Sequence, residues 1–320
     1  MSDASSRRLL ILVLPDLGGI GKSTLSEQLV AMLEVAGRPV VAIDGDPTSR
    51  GLMARRNGRR TIPVLWPDEY ESRARAIRGA VKEGHVGVLD FGGGSTLTLS
   101  VDPTIAELCD GSTSHGVETV VMVIGEASKP GLATAIARLR TAYPHVRFMF
   151  CRNAKSGSDW SSFTGCAAGL PTFDLPAMPP AITEWLSNHR VVHGPKGEVS
   201  RPALADLVMD PQPGYKMIGY VIGGYLNDVS QQPVIQALLQ VPSIEYTFKI
   251  RPSLVLGRGP MNDAYLTAHM TAAVAMSHIV AATPPPAGQE AAWCEDMGRH
   301  VLKYAQSMQA VRAVRAARPG

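Results

Sequence analysis

Leu9-Leu10-Ile11-Leu12-Val13-Leu14-Pro15-Asp16-Leu17-Gly18-Gly19-Ile20-Gly21-Lys22-Ser23-Thr24 is the stretch that decides the fold. Leu9–Leu14 is short and wholly apolar, the pattern of a strand buried on both faces in a parallel sheet. A helical pattern follows from Lys22 to about Val35, with Leu25, Leu29, Val30 and Leu33 on one face, and Gly37 marks its stop. A glycine-rich turn between a buried strand and a helix is a setting for phosphate. Gly18, Gly19 and Gly21 let the backbone bring N–H groups close to phosphate oxygens, and the helix points its positive dipole at the same place. In that arrangement Lys22 reaches the β- and γ-phosphates and Ser23 places its hydroxyl on Mg²⁺. The usual pattern is G-x-x-x-x-G-K-[ST], and here Asp16 stands at its first glycine.

Strand and helix patterns alternate outward from this loop. Val40–Ile43, Val86–Leu89, Val117–Ile124 and Val146–Cys151 read as strands, and Asp68–Lys82 and Leu132–Tyr143 as helices. This is the signature of an α/β fold, a doubly wound, mostly parallel sheet. A loop-rich stretch with one short strand at Thr172–Leu175 follows. Beyond about residue 195 the pattern weakens to helices near Pro202–Met209, Gln232–Leu239, Asp263–Ala281 and Gln289–Arg315, with a candidate strand at Glu245–Ile250. The expected organisation is a nucleotide-binding domain over 1–194 and a mainly helical C-terminal extension over 195–320.

Two more elements belong with the loop. The second strand ends Ala42-Ile43-Asp44-Gly45-Asp46-Pro47, and the third ends Val88-Leu89-Asp90-Phe91-Gly92-Gly93-Gly94. Ligands of open α/β sheets sit at the carboxyl ends of strands. Asp90 is therefore placed to hold Mg²⁺ through water, and Asp44 to orient a water attacking a phosphate. The plainer alternative is that these acids only cap strand ends or the helices that follow.

The glycine loop, the D-x-D-P element and the apolar strand ending in Asp and glycines together resemble the ParA/MinD family of deviant-Walker ATPases. The resemblance covers roughly residues 7–190 and is nearest to the compact, plasmid-encoded members. It implies a phosphate-loop ATPase that binds ATP and Mg²⁺ and dimerises around them. Such proteins act as nucleotide-switched positioning proteins in plasmid partition, stability or conjugative transfer. By position it implies that Gly18–Thr24 bind phosphates, that Ser23, Asp90 and Asp46 lie around the metal, and that Asp44 and Lys22 serve hydrolysis. Asn153 falls where the family recognises adenine, and an Asn after a strand is also an ordinary turn residue. A guanine-type N-K-x-D is absent, which favours ATP. One position departs from the pattern: the family's signature lysine, which reaches a partner subunit's phosphates, is Leu17 here. That departure keeps a second reading open, a non-hydrolysing nucleotide-binding scaffold or regulatory protein.

The formal charge is only +3, but it is unevenly spread. Arg50, Arg55, Arg56, Arg59 and Arg60 lie in one acid-free stretch beside the D-x-D-P element. They suit non-specific DNA or an acidic partner, or one of them replaces the missing lysine, or they form a solvated helix face. A second acid-free stretch, from Met297 onward, carries Arg299, Lys303, Arg312, Arg315 and Arg318, with apolar residues at helical spacing. Such a helix packs on its own domain, grips DNA, or docks transiently on a membrane surface. His189 and His193 have the i, i+4 spacing of a metal pair, but no acidic or third ligand is evident nearby and a surface helix end is the simpler reading. Cys109, Cys151, Cys166 and Cys294 form no C-x-x-C pair, as expected of reduced thiols in a cytoplasmic protein.

Overall fold

The computed structural model describes residues 8–14, 19–46, 51–56, 61–63, 70–91, 102–110, 116–178, 180–188, 191–193, 198–209, 216–242 and 244. The expected elements at 245–250, 263–281 and 289–315 and the basic C-terminal stretch lie outside them. Two compact units are distinguished: 1–177 with 190–205 and 226–244, and 178–189 with 206–225 and 245–320.

The first unit is built on a parallel sheet. Its strands are β1 (Arg8–Leu14), β2 (Val40–Gly45), β3 (Thr61–Pro63), β4 (Val86–Phe91), β5 (Val117–Glu126), β6 (Arg147–Asn153) and β7 (Thr172–Leu175). They lie in the order β3-β2-β4-β1-β5-β6-β7, and every pairing is parallel. Central β1 is flanked by β4 and β5, and Leu10 to Leu14 have no exposed surface. Each such side chain contributes roughly 1.5–3 kcal/mol by leaving water. The helices of this unit include α1 (Lys22–Val35), α2 (Gly51–Ala54), α3 (Tyr70–Ala80), α4 (Pro103–Asp110), α5 (Leu132–Ala142) and α6 (Thr164–Ala167). The expected doubly wound α/β sheet is therefore present, and most boundaries move by only two residues or fewer.

The differences have local causes. β3 was not foreseen because it has three residues and ends in Pro63; it sits at the sheet edge, where a missing N–H is tolerated. α4 was also not foreseen. The face of α1 is broader than the four expected residues, since every residue from Leu25 to Leu33 is buried. A helix covered all round belongs to the core of its unit.

Residues 190–205 and 226–244 belong to the same unit. β8 (Val191–His193) and β9 (Glu198–Ser200) form an antiparallel pair. His193 is thus in a strand and not at a helix end, so the helical i, i+4 pairing expected for it does not hold. No group of three or more His, Cys, Asp or Glu residues suited to a metal ion occurs among the described residues. After α7 (Pro180–Asn188), α8 (Leu204–Met209) and α9 (Lys216–Ser230), α10 (Pro233–Leu239) places the Leu239 carbonyl 2.9 Å from Arg38 Nη1, which donates to it. Gln232 exchanges hydrogen bonds with the Asp174 backbone at the end of the sheet. α7 and α9 escaped the sequence reading; α9 carries Gly219, Gly223 and Gly224, which lower intrinsic helix preference. No helix among the described residues is long and apolar enough to cross a membrane.

Candidate functional site

The site is set by three neighbouring strands, β2, β4 and β1. Their register places Asp44 of β2 beside Asp90 of β4, and Asp90 beside Val13 of β1. The glycine loop leaves β1 one residue later. Two carboxylates and the phosphate loop therefore meet at the carboxyl edge of the sheet.

Gly19 and Gly21 adopt positive φ, +77° and +98°, which a side chain would strain. Gly21 is also crowded: a Cβ there would come within 2.8 Å of Asn153 Nδ2. α1 begins directly after it, with Leu25 N–H bonding the Gly21 carbonyl at 2.8 Å. Gly21 supplies no side-chain cap and the first turn holds no acid. The N-terminal N–H groups and their dipole are thus left to face an anion. Lys22 is the first residue of α1 and is buried, Ser23 and Thr24 follow it, and Ile20 is fully buried under the loop. Asp16, Leu17 and Gly18 lie outside the described residues.

Asp90 is 1% exposed, and both of its carboxylate oxygens are buried without a hydrogen-bond partner. Burial pushes its carboxyl up to about 6; the neighbouring Asp44 charge adds to the rise, while the Ser23 hydroxyl, Lys22 and the Ser26 hydroxyl oppose it. An orphaned carboxylate costs several kcal/mol unless something supplies the missing charge. A hard divalent cation taken between Asp90 and the Ser23 hydroxyl answers that need, because oxygen donors of this kind suit Mg²⁺. The donor set therefore fits the ion that the motif implies.

Asp44 is 2% exposed and differently engaged. Its Oδ1 accepts from Asp46 N–H at 2.9 Å and its Oδ2 from Met53 N–H at 2.8 Å. Burial raises its pKa, and these N–H groups pull it back. Asp44 thereby pins the chain ahead of α2 and within it, and half-buried Asp46 sits at the first of the pins.

Asn153 ends β6, 5% exposed. Its Nδ2 donates to the Ile20 carbonyl at 2.8 Å and its Oδ1 accepts from Lys155 N–H at 3.1 Å. In this structure the side chain ties the loop to the sheet.

The arginines after the D-x-D-P element separate into different environments. Arg56 is 4% exposed, and its Nη2 lies 2.8 Å from Glu34 Oε1. This corrects its assignment to a DNA-facing patch, because a buried, paired charge presents little field to a polyanion. Arg55 donates to Thr24 Oγ1 at 3.2 Å and lies 3.6 Å from Glu27 Oε2. Arg50, Arg59 and Arg60 are outside the described residues. Glu27, in α1, also pairs closely with Arg201, which follows β9. Burial raises the Glu27 pKa against the pull of Arg201 and Arg55. Glu27 and Arg201 are 174 positions apart, so no spacing in the sequence joins them.

No known family matches the chain, and no curated protein matches it. Among solved structures it is similar to a ParA family ATPase from Chlorobium tepidum TLS, at 13% identity and a TM-score of 0.42, over 56% of this chain and 88% of that one. It is also similar to the MinC:MinD cell division protein complex of Aquifex aeolicus, at 13% identity and a TM-score of 0.41, over 74% and 99%. A third is the signal recognition particle 54 kDa protein of Aeropyrum pernix K1 in complex with GDP, at 15% identity and a TM-score of 0.38, over 99% and 69%. Likeness of this degree is too slight to argue from, so the functional reading rests on the site itself.

Proposed function

We propose that this chain is a Mg-ATP-binding ATPase of ParA/MinD type, a nucleotide-switched positioning protein serving plasmid partition, stability or conjugative transfer. The observation that carries the nucleotide reading is the buried Asp90 carboxylate, with no well-formed hydrogen bond and with Ser23 and Lys22 of the uncapped α1 N-terminus acting on it. In this reading Gly18, Gly19, Ile20, Gly21, Lys22, Ser23 and Thr24 seat the phosphates, with the Lys22 ammonium on the β- and γ-phosphates. Ser23 and Asp90 hold Mg²⁺, with Asp46 in its outer surroundings, and Asn153 borders the base. When bound, the metal neutralises charge on the phosphate oxygens. Asp44 aligns the attacking water, its fixed orientation supported by the two N–H groups that grip it. The plasmid-related role rests on the sequence motifs alone. A homodimer around nucleotide belongs to the same reading, as do a cytoplasmic location and a reversible partner surface of DNA, membrane or protein.

One observation favours the alternative of a non-hydrolysing nucleotide-binding scaffold. Each Asp44 oxygen accepts a backbone N–H at or ahead of α2, so that acid has a structural role even without a water to align. Measuring Mg-dependent ATP binding and turnover, with and without DNA and anionic vesicles, separates the two. The ATPase reading expects turnover that Asp44→Ala abolishes. Intact ATP binding with no turnover under any of these conditions would leave the scaffold. Failure of Mg²⁺ to strengthen ATP binding would remove the nucleotide site itself.

A further inference from the structure

We infer that Arg55 is a second phosphate-contacting cation of this nucleotide site, in place of the charge that Leu17 does not provide. The inference rests on the nucleotide-binding reading above and assigns it a residue that the motifs do not. Arg55 is delivered by a turn with little freedom. Leu52 is fully buried, Met53 N–H is held by Asp44, Arg55 N–H bonds the Leu52 carbonyl at 3.2 Å, and Arg56 is clamped to Glu34. The anchored turn sets the Arg55 guanidinium on the first turn of α1, with Nη1 donating to Thr24 Oγ1. Thr24 is the third residue of α1, and its N–H belongs to the group left open towards an anion.

The other partner of Arg55 does not hold it firmly. The Arg55–Glu27 separation of 3.6 Å is an ion pair without a hydrogen bond, and the Arg55 side chain is 31% exposed. Glu27 already has Arg201 in close contact, as an ion pair and a hydrogen bond. Arg55 can therefore leave Glu27 without stranding a buried charge. Arg56 has no such freedom, since Glu34 takes two of its nitrogens. Of the described arginines in the basic stretch, only Arg55 combines contact with the loop helix and a replaceable pairing. A planar, permanently charged guanidinium with several donors is suited to phosphate oxygens. An arginine supplied from within the chain would also let this site bind nucleotide tightly without a partner subunit's lysine.

The test uses the full chain and a fluorescent ATP analogue with Mg²⁺, comparing wild type with Arg55→Ala, Arg55→Lys, Arg201→Ala and Lys22→Ala. Arg55→Ala is expected to weaken binding roughly ten- to a hundred-fold, the range for one charge-assisted contact. Arg55→Lys should recover part of that loss, and the melting temperature without nucleotide should change little. Arg201→Ala should instead lower the melting temperature while leaving affinity for the folded protein within about threefold of wild type. If Arg55→Ala and Arg55→Lys both bind within twofold of wild type while Lys22→Ala does not bind, the inference fails and the nucleotide reading stands. If wild type itself shows no Mg-dependent binding, both fall. A loss in Arg55→Ala matched by an equal fall in the folded fraction, with Arg55→Lys folded and unaltered in affinity, also overturns the inference.

Discussion

Replacing Asp90 by Asn should stabilise the nucleotide-free protein, although it destroys the proposed metal site. The Asp90 carboxyl is pushed up to about 6 by burial, from an ordinary value of 3.8. Above pH 6 the folded state must keep a charge that water would hold more cheaply. At about 1.4 kcal/mol per pH unit the penalty reaches roughly 3 kcal/mol. Its sign follows from proton binding. Between pH 4 and 6 the folded state carries more of the Asp90 proton than the unfolded chain, so this residue's contribution to stability improves as pH falls. The penalty is complete above pH 6 and gone below pH 4. Asn carries no charge at any pH, so Asp90→Asn should exceed wild type by about 3 kcal/mol at pH 8, or several degrees in melting temperature. The gap should narrow through pH 6 and close near pH 4. The assay is thermal or urea unfolding of both proteins between pH 4.5 and 8 at constant ionic strength. Adding Mg-ATP at pH 8 should raise wild type and not the variant, reversing their order. A wild type as stable as Asp90→Asn at pH 8, with no pH dependence in the difference, would refute the reasoning. It would mean that Ser23, Lys22 and Ser26 already offset the cost of burying the Asp90 charge in the free protein.

Three other outcomes follow from the same geometry. Arg201→Ala leaves the buried Glu27 with only the more distant Arg55, and should cost about 3 kcal/mol in urea unfolding; restoring most of that loss with Glu27→Gln in the same chain would confirm the pairing. Asn153→Ala removes the tether to the Ile20 carbonyl and should weaken ATP and GTP alike, whereas a base-reading Asn153 would lose ATP selectively; parallel titrations of the two nucleotides decide. Asp44→Asn keeps one acceptor oxygen but sets an amide against the second N–H, so it should lower the melting temperature by a few degrees as well as stop turnover; a variant with unchanged stability would show that the two pins on the α2 turn carry little energy.

Much of the first unit was legible because its signals are local. A run such as Leu9–Leu14 has few alternatives to a buried strand, and the glycines and Lys22 that follow demand a turn and then a helix. Asp44 and Asp90 could be assigned to one edge because parallel strands all end on the same side of their sheet. The elements that were missed carry weak local signals: β3 is three residues long and ends in proline, and α9 is diluted by glycines. The hairpin of β8 and β9 could not be foreseen from a His-x-x-x-His spacing, because the same spacing means proximity on a helix and separation on a strand.

The sequence by itself determined the parallel sheet, the phosphate loop and the two acids at the ends of its neighbouring strands, since strand period, glycine freedom and chain direction are properties of short segments. Only the tertiary structure decided what each charged group meets. It buried both Asp90 oxygens without a well-formed hydrogen bond, turned Asn153 onto the loop, and closed Arg201 over Glu27. It also divided two adjacent arginines, burying Arg56 against Glu34 and leaving Arg55 against Thr24. The physical reason is that the energy of a charge depends on the few ångströms of surroundings that distant parts of the chain supply, and neighbours in sequence such as Arg55 and Arg56 need not share them.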